Sequence, residues 1–364
     1  MGRGSSPSKV ESGTPGGVDH VNVYRNTGPN NLSPVVAHAL PRVYVPHVKS
    51  NDVYVIDPAT RKVVDHFPVG RKPQHVVPSW DLKTLWVASN ATRRTHGSLT
   101  PIDPTTGKPG PPVTVDDAYN LYFTPDGRSA IVVAESKRRL DFREPHSMKL
   151  QWSLPTPKCG GINHADFAAD GSYAILTCEF SGALVKIDFN HRRVLGYLKL
   201  SRGGMPQDIR IAADGSAFFV ADMRADGVFV IDGAGLKETA FIPTGIGTHG
   251  LYPSRDGTKL YVSNRGSHRI HGAPNGPGTV SVIDLGTRSV VGTWPIPGGG
   301  SPDMGNVNAD GKELWLSGRF DNVVYVFDTS SGAVEQIPVG HEPHGLTVWP
   351  QPGQYSLGHT GNMR

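Results

Sequence analysis

Short runs in which apolar and polar residues alternate recur along most of the chain. The clearest lies at His249–Asp284, where HGLYPS is followed by a turn at Arg255–Gly257, then KLYVSN, an insert and TVSVID. Period-two alternation is typical of β-strands that pack in layers. The run therefore predicts a strand, a tight turn, a second strand, a loop and a third strand.

Weaker copies of this unit follow one another at intervals of 41 to 54 residues. The longest interval contains the insert at Arg265–Gly278, which is rich in Gly, Pro and His and is therefore predicted as a loop. A period of this length indicates a propeller or a solenoid. The second residues of the successive first strands are His75, Asn120, His164, Asp208, His249, Asp303 and His344.

The two ends of the repeat complete each other. The first unit lacks a first strand, and the last copy, His344–Pro350, is a first strand with nothing after it. Joining them removes exposed sheet edges. We therefore predict an all-β seven-bladed propeller with four-stranded antiparallel blades, closed by the C-terminal strand in the first blade. The predicted boundaries are a disordered arm at 1–33, the propeller at 34–352 and a C-terminal tail at 353–364.

Composition narrows the function classes. The net charge is +4 over 364 residues, and the Lys and Arg residues are scattered, so no nucleic-acid partner is expected. No apolar run approaches the roughly 18 residues that a membrane helix needs. The first residues lack the apolar segment of a signal peptide. The protein is expected to be cytoplasmic as given, or exported if an export segment was removed.

Several strand motifs resemble those of the YVTN-type β-propeller repeat proteins. These motifs are LYVSN, LWVASN, VSVID, the Asp-Gly turns and the PVG ends, and they cover the chain from Pro34 to Pro350. The resemblance implies a seven-bladed propeller. Propellers of similar shape include sugar lactonases, streptogramin lyases and the copper-cluster domain of nitrous oxide reductase. No catalytic motif of these proteins can be transferred to this chain residue by residue.

The first strand of each blade lines the channel of a propeller, so the seven residues given above should form a ring. Four imidazoles and two carboxylates on one axis suit a transition metal such as Cu, Fe, Ni or Zn. We predict that His75, His164, His249 and His344 are metal ligands. The alternative is a solvated ring in which these side chains bond neighbouring blades without a metal.

A second ring should lie beside the first at the end of each second strand. Its members are His47, Asn90, Glu135, Glu179, Asp222, Asn264 and Gly318. Glu135 and Glu179 stand where an average repeat carries Asn, so we predict a general acid/base pair or support for a His ligand. The alternative is salt bridging to Lys137, Arg138 or Arg139.

The remaining candidates have mostly structural interpretations. An Asp at the end of each third strand is predicted to begin a turn by bonding the backbone. Arg224, Arg265 and Arg319 would favour an anionic ligand at the mouth or be solvated. The insert, with His268 and His271, is a candidate lid. Cys159 and Cys178 form one bridge or remain two thiols, with Cys178 packed in the core.

The leading functional hypothesis is a metal-dependent or acid/base enzyme that acts on a small molecule at the channel mouth. Its reaction would be that of a lyase, a hydrolase or an oxidoreductase. Glu135, Glu179, Asp208 and Asp303 would assist the chemistry. The alternative is a non-catalytic scaffold that binds a protein or polymer, and a third hypothesis is a protein that carries a metal or cofactor without turnover.

Overall fold

The structure is a computed structural model that describes residues 22–91, 96–273 and 276–364. Across these residues the strands form seven four-stranded sheets, and all strand pairs within them are antiparallel. The sheets are arranged as the blades of a propeller, which confirms the predicted fold.

The first four blades follow the repeat units in chain order. Blade 1 contains β1 (Arg42–His47), β2 (Asp52–Asp57) and β3 (Lys62–Pro68); blade 2 contains β4 (Pro73–Pro78), β5 (Leu85–Ser89), β6 (Gly97–Ile102) and β7 (Val113–Val115); blade 3 contains β8 (Ala118–Phe123), β9 (Ala130–Ala134), β10 (Arg139–Arg143) and β11 (Leu150–Pro155); blade 4 contains β12 (Ile162–Phe167), β13 (Ala174–Cys178), β14 (Ala183–Asp188) and β15 (Arg193–Lys199).

The last three blades continue the same order. Blade 5 contains β16 (Pro206–Ile211), β17 (Phe218–Asp222), β18 (Gly227–Asp232) and β19 (Lys237–Pro243); blade 6 contains β20 (Thr248–Pro253), β21 (Lys259–Asn264), β22 (Thr279–Asp284) and β23 (Ser289–Pro295); blade 7 contains β24 (Pro302–Val307), β25 (Glu313–Gly318), β26 (Val323–Asp328) and β27 (Val334–Pro338); β28 (Thr347–Trp349) follows. Short 3-10 helices lie at Pro34–Val36, Glu135–Lys137 and Glu179–Ser181.

The C-terminal strand closes the ring as predicted. β28 pairs with β1 in blade 1, with Val348 opposite Val43. Inner strands such as β12 are buried along their whole length, whereas outer strands such as β3 are mostly exposed. Apolar side chains from the intermediate strands pack between neighbouring blades, so each blade depends on its neighbours for a core.

Six of the seven third-strand aspartates begin turns as predicted. Their carboxylates accept backbone N–H bonds from residues two or three positions on, as at Asp57, Asp103, Asp188, Asp232, Asp284 and Asp328. The prediction is wrong for Asp141, which lies inside β10 and accepts bonds from Arg139 and Ser153. Glu144 begins that turn, because its carboxylate accepts from Ser147 N at 2.6 Å.

Both segments predicted outside the propeller contact it. Residues 1–21 of the predicted arm lie outside the described residues. Residues 22–33 pack on the blades, since Val23 N donates to Ala213 O and Tyr24 Oη donates to Ile211 O. The predicted tail, 353–364, enters the channel at the end opposite the predicted mouth and folds back, with Ser356 bridging Met363. We call residues 356–363 the C-terminal hairpin.

Cys159 and Cys178 form a disulfide. Cys178 is buried in the apolar cluster between blades 3 and 4, as predicted, but it is bridged and not a free thiol. The bond ties the loop before β12 to the end of β13, directly beside Glu179. It therefore fixes the backbone at the edge of the channel mouth.

Loss of this disulfide should lower the stability of the propeller. The bridge spans a sequence separation of 19 residues, for which the chain-entropy model gives about 3 kcal/mol. A Cys159→Ser/Cys178→Ser variant should unfold at a lower guanidinium concentration than the oxidised protein. Reductant should shift the midpoint of the wild type and leave that of the variant unchanged. Equal midpoints for variant and wild type would contradict the expectation.

Candidate metal centre and channel mouth

Three buried histidines meet in the middle of the channel. His75 on β4, His164 on β12 and His359 on the C-terminal hairpin each offer a ligand atom within 4.8 Å of the other two. The ring centroids of His164 and His359 are 4.7 Å apart, and those of His75 and His164 are 5.4 Å apart. All three side chains are fully buried. This cluster, which we call the His triad, could hold a metal ion.

The C-terminal hairpin places His359 by close backbone contact with blade 3. His359 N donates to Leu121 O at 2.9 Å, and Asn120 Nδ2 donates to His359 Nδ1 at 3.0 Å. Gly358 has φ of 105°, and a Cβ there would overlap Leu121 O, so only glycine allows this approach. The base of the hairpin is held by Arg364, whose Nη2 lies 2.6 Å from Asp166 Oδ1.

Four imidazole nitrogens of the His triad have no hydrogen-bond partner. His75 Nδ1 donates to Tyr119 O at 3.0 Å, which leaves Nε2 unpaired. Both nitrogens of His164 also lack a hydrogen bond, as does Nε2 of His359, which lies 3.7 Å from Asp208 Oδ1. Burial lowers the pKa of His75 to about 3. Burial and then the neighbouring imidazoles lower the pKa values of His164 and His359 well below the usual range. The three rings are therefore neutral at pH 7.

The other two predicted ligands bind a carboxylate. Nδ1 of His344 lies 2.9 Å from Asp303, and Nδ1 of His249 lies 2.8 Å from it. Arg265 also donates to Asp303, at 3.2 Å from Nε. Burial opposes ionisation of Asp303, but Arg265 and the two imidazoles hold its pKa well below the usual range. His344 still approaches the triad, since its ring centroid lies 4.9 Å from that of His75. Four-histidine ligation and catalysis by Asp303 stay predictions.

Asp208 lies deep in the channel, and its carboxylate is hydrogen-bonded to other groups of the protein. Its carboxylate accepts from Ile209 N at 2.9 Å, from Leu251 N at 3.0 Å and from Arg210 Nη1 at 2.9 Å. Burial, opposed by Arg210, raises its pKa to about 6. These bonds join blade 5 to blade 6. A structural role therefore accounts for its contacts, and its predicted catalytic role stays a prediction.

The channel mouth is a cavity of about 210 Å³ above the His triad. Glu135 and Glu179 line it, and each begins a 3-10 helix directly after the second strand of its blade. Other residues of its wall are Val48, Lys72, Gln74, Asn90, Tyr119, Phe180, Gln207, His249, Arg265, Ile270, His271, Arg319 and His344. Tyr119 separates the cavity from the triad, because its ring packs on those of His75 and His164.

The two glutamates differ in their contacts. Glu179 is buried and accepts from Asn163 Nδ2 at 2.8 Å and from Gln207 Nε2 at 3.0 Å. Burial raises its pKa against these donors. Burial and then the charge of Glu179 raise the pKa of Glu135 well above the usual range. A carboxyl group with a raised pKa is suited to general acid chemistry.

The basic residues near Glu135 have other partners. Arg139 pairs with Asp116 and Asp141 at 2.9 and 2.7 Å, and Arg138 donates to Pro157 O. The alternative prediction, salt bridges from these arginines to the glutamates, is therefore wrong. The structure records no such bridge from Lys137 among the described residues.

The rest of the second ring is divided between the mouth and structural bonds. Asn90 lines the mouth. Asp222 accepts from Met205 N, and Asn264 Nδ2 donates to Ser281 Oγ. His47 lies between Asp52 and the backbone N–H of Gly340. The second-ring residues that line the mouth therefore lie on blades 2, 3 and 4.

The insert reaches over the mouth as the predicted lid would. Ile270 and His271 line the cavity. His271 Nδ1 lies 3.2 Å from Glu342 of the loop that leads into β28, and His268 Nε2 lies 2.8 Å from Asp226. Both histidines of the insert are thus close to carboxylates on other blades. These contacts connect the insert to two sides of the mouth.

The arginines predicted to attract an anion are mostly paired. Arg265 and Arg319 are buried rather than solvated. Arg265 Nη2 lies 2.9 Å from Asp303, and Arg319 Nη2 lies 3.0 Å from Glu342. Arg224 is exposed. The positive charge on this side of the mouth is therefore balanced by protein carboxylates.

The fold and its repeats identify the family. A family model described as YNCE-like beta-propeller matches residues 21–352, and the chain belongs to this family. Among curated proteins, none matches the sequence.

Solved structures with the same fold include three named proteins. Hydrazine synthase of Kuenenia stuttgartiensis has a TM-score of 0.60 at 19% identity, over 75% of this chain and 88% of that one. The dihydro-heme d1 dehydrogenase NirN has a TM-score of 0.60 at 17% identity, over 84% and 75%. A candidate 6-phosphogluconolactonase of Bacteroides fragilis has a TM-score of 0.63 at 16% identity, over 86% and 99%. Similarity at this level shows the shared fold alone.

No helix within 22–91, 96–273 or 276–364 has the length and apolar character needed to cross a bilayer.

Sequence reasoning missed His359, Tyr119 and Gln74. His359 lies outside the repeat, so no register assigns it to the channel. Its one sequence signal is the tight-turn pattern Gly358–Gly361, in which glycines flank a His-Thr pair. Tyr119 and Gln74 each precede a predicted ring residue by one position. At the start of the inner strand both neighbours reach the channel, because a bulge interrupts the pairing of β4 with β5 and of β8 with β9.

A Glu135→Gln variant should become more stable than the wild type as the pH rises. The unfolded chain ionises Glu near pH 4.3, whereas folded Glu135 keeps its proton to higher pH. Folding therefore becomes less favourable above about pH 4.3 as far as the folded pKa. Glu135→Gln removes this penalty, so its thermal midpoint should match the wild type near pH 4 and exceed it at pH 8.

Glu144→Gln is the matched control in the same blade. Hydrogen bonds from Ser147 lower the pKa of Glu144, so its replacement should give no gain at pH 8. If the wild type becomes more stable relative to Glu135→Gln between pH 4 and pH 8, the pKa of Glu135 is not raised by folding.

Proposed function

We propose that this protein binds one transition-metal ion through His75, His164 and His359 and acts on a small molecule held at the channel mouth. The observation that supports the proposal is the set of unpaired nitrogens in the His triad. Each buried polar atom without a partner costs about 1 to 3 kcal/mol. A single ion coordinated by the three rings would satisfy one nitrogen of each.

The donor set favours the metals Cu, Fe, Ni and Zn. Neutral imidazole is a ligand for each of them, and burial keeps the three rings neutral. His75 is oriented as is usual for histidine ligands, because its Nδ1 donates to Tyr119 O and leaves Nε2 as the basic nitrogen. In His359, Nδ1 accepts from Asn120 Nδ2. Ligation through Nε2 of His359 would therefore require its proton to move to Nδ1 and the Asn120 amide to turn.

The residues above the triad supply the remaining chemistry. When bound, the ion would act as a Lewis acid or a redox centre below the mouth. Tyr119 and His344 lie between the triad and the cavity and control how closely a small molecule approaches. Glu135, whose pKa is raised by burial and by the charge of Glu179, would exchange a proton with that molecule. Glu179, fixed by two amide donors, would orient it. This arrangement favours an enzyme or a metal carrier over a non-catalytic scaffold.

Metal analysis of protein purified without a polyhistidine tag tests the proposal. After chelator treatment, titration with Cu²⁺, Fe²⁺, Ni²⁺ and Zn²⁺ should show one equivalent of at least one metal bound. His164→Ala should weaken its binding about a hundredfold or more, because each ligand contributes a few kcal/mol to metal binding. Truncation after residue 353, which removes His359, should weaken it similarly. Binding is measured by isothermal titration calorimetry and elemental analysis.

Two further variants separate the alternatives. His191→Ala changes an exposed histidine of the same blade as His164 and should leave metal binding unchanged. His249→Ala should retain the metal if the triad is the site and lose it if the four-histidine set is. No bound metal in the wild type with any of the four ions would leave the scaffold hypothesis.

A further inference from the structure

The mouth has a cationic side that the protein itself neutralises. Arg265 forms an ion pair with Asp303, and Arg319 forms one with Glu342. Arg265 also donates through Nη1 to the backbone oxygen of Arg269. The guanidinium group of Arg265 is therefore mostly in use, whereas Arg319 is offset in charge by Glu342 and keeps a buried Nε without a hydrogen-bond partner.

The opposite side of the mouth carries two carboxyl groups with no direct salt bridge among the described residues. Glu179 receives hydrogen bonds from the neutral amides of Asn163 and Gln207. Among the described residues, neither Glu135 nor Glu179 takes part in an ion pair. Burial and then the charge of Glu179 raise the pKa of Glu135. Burial also raises the pKa of Glu179, and the charges of Arg265 and Arg319 oppose that rise from across the mouth without forming an ion pair with it.

Gln74 adds an independent sign of a ligand. Gln74 is buried, with 5% of its surface exposed, and it lines the same cavity. Nε2 donates to Asn90 Oδ1 at 3.3 Å, while Oε1 has no hydrogen-bond partner. A buried, unpaired acceptor beside two carboxylates calls for a hydrogen-bond donor in the cavity.

The apolar part of the wall indicates that the donor is organic. Tyr119, Phe180, Val48 and Ile270 line the cavity, and Phe180 is 57% exposed beside Glu179. A bare metal ion would gain nothing from these side chains. An alkylammonium ion would place its charge near the carboxylates and its hydrocarbon part on the aromatic rings.

We propose that the mouth binds a small organic amine. Its ammonium group donates to Glu135, Glu179 and Gln74 Oε1, and its hydrocarbon part packs on Tyr119 and Phe180. This inference deepens the proposed function, because it names the class of small molecule held above the His triad. Any reaction of the bound amine rests on the proposed function, whereas its binding does not.

Lys72 is the natural competitor of the amine. It is exposed, lines the mouth and lowers the pKa of Glu135 by its charge. Its ammonium group therefore offsets part of the acidic charge when the mouth holds no ligand. Removing that charge with Lys72→Met should strengthen amine binding, whereas a mouth built for an anion would bind less tightly after the same change.

Three probes of similar size test the charge preference on the unaltered protein. Butylamine, butyrate and butan-1-ol are titrated separately at pH 7.5 to 8 by calorimetry or saturation-transfer NMR. Butylamine should bind about tenfold or more tightly than either of the others, because only it makes charge-assisted hydrogen bonds to the carboxylates. Butyrate or butanol binding as tightly as butylamine, or no saturable butylamine binding, would overturn the proposal.

Variants then locate the site. Glu135→Gln/Glu179→Gln should weaken butylamine binding about tenfold or more, and Lys72→Met should tighten it severalfold. Glu144→Gln, on the outer turn of blade 3, is the control and should bind like the wild type. If the double variant does not fold, the single variants and Lys72→Met still decide, and unchanged affinity in all of them would overturn the proposal.

Metal content measured on the same samples separates this inference from the proposed function. His164 does not line the mouth, so His164→Ala should lose metal and keep its preference for butylamine. Amine preference in a protein that binds no metal supports the inference and contradicts the metal site. Metal binding without amine preference overturns the inference and leaves the metal site standing.

Discussion

The burial of polar side chains on the propeller axis is the constraint on which the rest of the structure depends. Inner strands from all seven blades converge there, and each polar group removed from water needs a partner. Near the mouth, Asp303 collects two imidazoles and Arg265. At the opposite end, Asp166 forms an ion pair with Arg364, which directly follows the C-terminal hairpin. The His triad between them is left with unpaired nitrogens.

This requirement divides the channel into three layers with different chemistry. The lowest layer is a permanent ion-pair network that holds the C-terminal hairpin. The middle layer is a cluster of neutral bases suited to a metal ion. The upper layer is a small cavity whose arginines form ion pairs with protein carboxylates and whose glutamates form none among the described residues. The proposals for the metal and for the amine come from different layers, so each depends on its own set of contacts.

The fold could be predicted because its signals are local and repeated. Period-two alternation and a regular spacing fix the strands, and the register then places His75, His164, His249 and His344 on the axis. Contacts between distant residues could not be predicted in this way. His359 reaches the triad only through the path of the hairpin, which depends on Gly358 approaching blade 3 and on Arg364 meeting Asp166.

The same limit explains the electrostatic errors. Glu135 and Glu179 were detected because they depart from the average repeat, but their surroundings depend on which cations are already paired. Arg139 lies four residues from Glu135 in sequence and pairs with Asp116 and Asp141 instead. Arg265 likewise forms an ion pair with Asp303, and Arg319 forms one with Glu342. A count of charges near a position cannot distinguish a free charge from a paired one.

The C-terminal hairpin also changes what kind of passage the channel is. With one end filled by this segment and the other crossed in part by the insert, the axis is a blind pocket and not a tunnel. Whatever enters must leave by the same opening, past Tyr119 and the insert that carries Ile270. Under the proposed function, an ion bound at the centre would therefore exchange with solvent through this one opening.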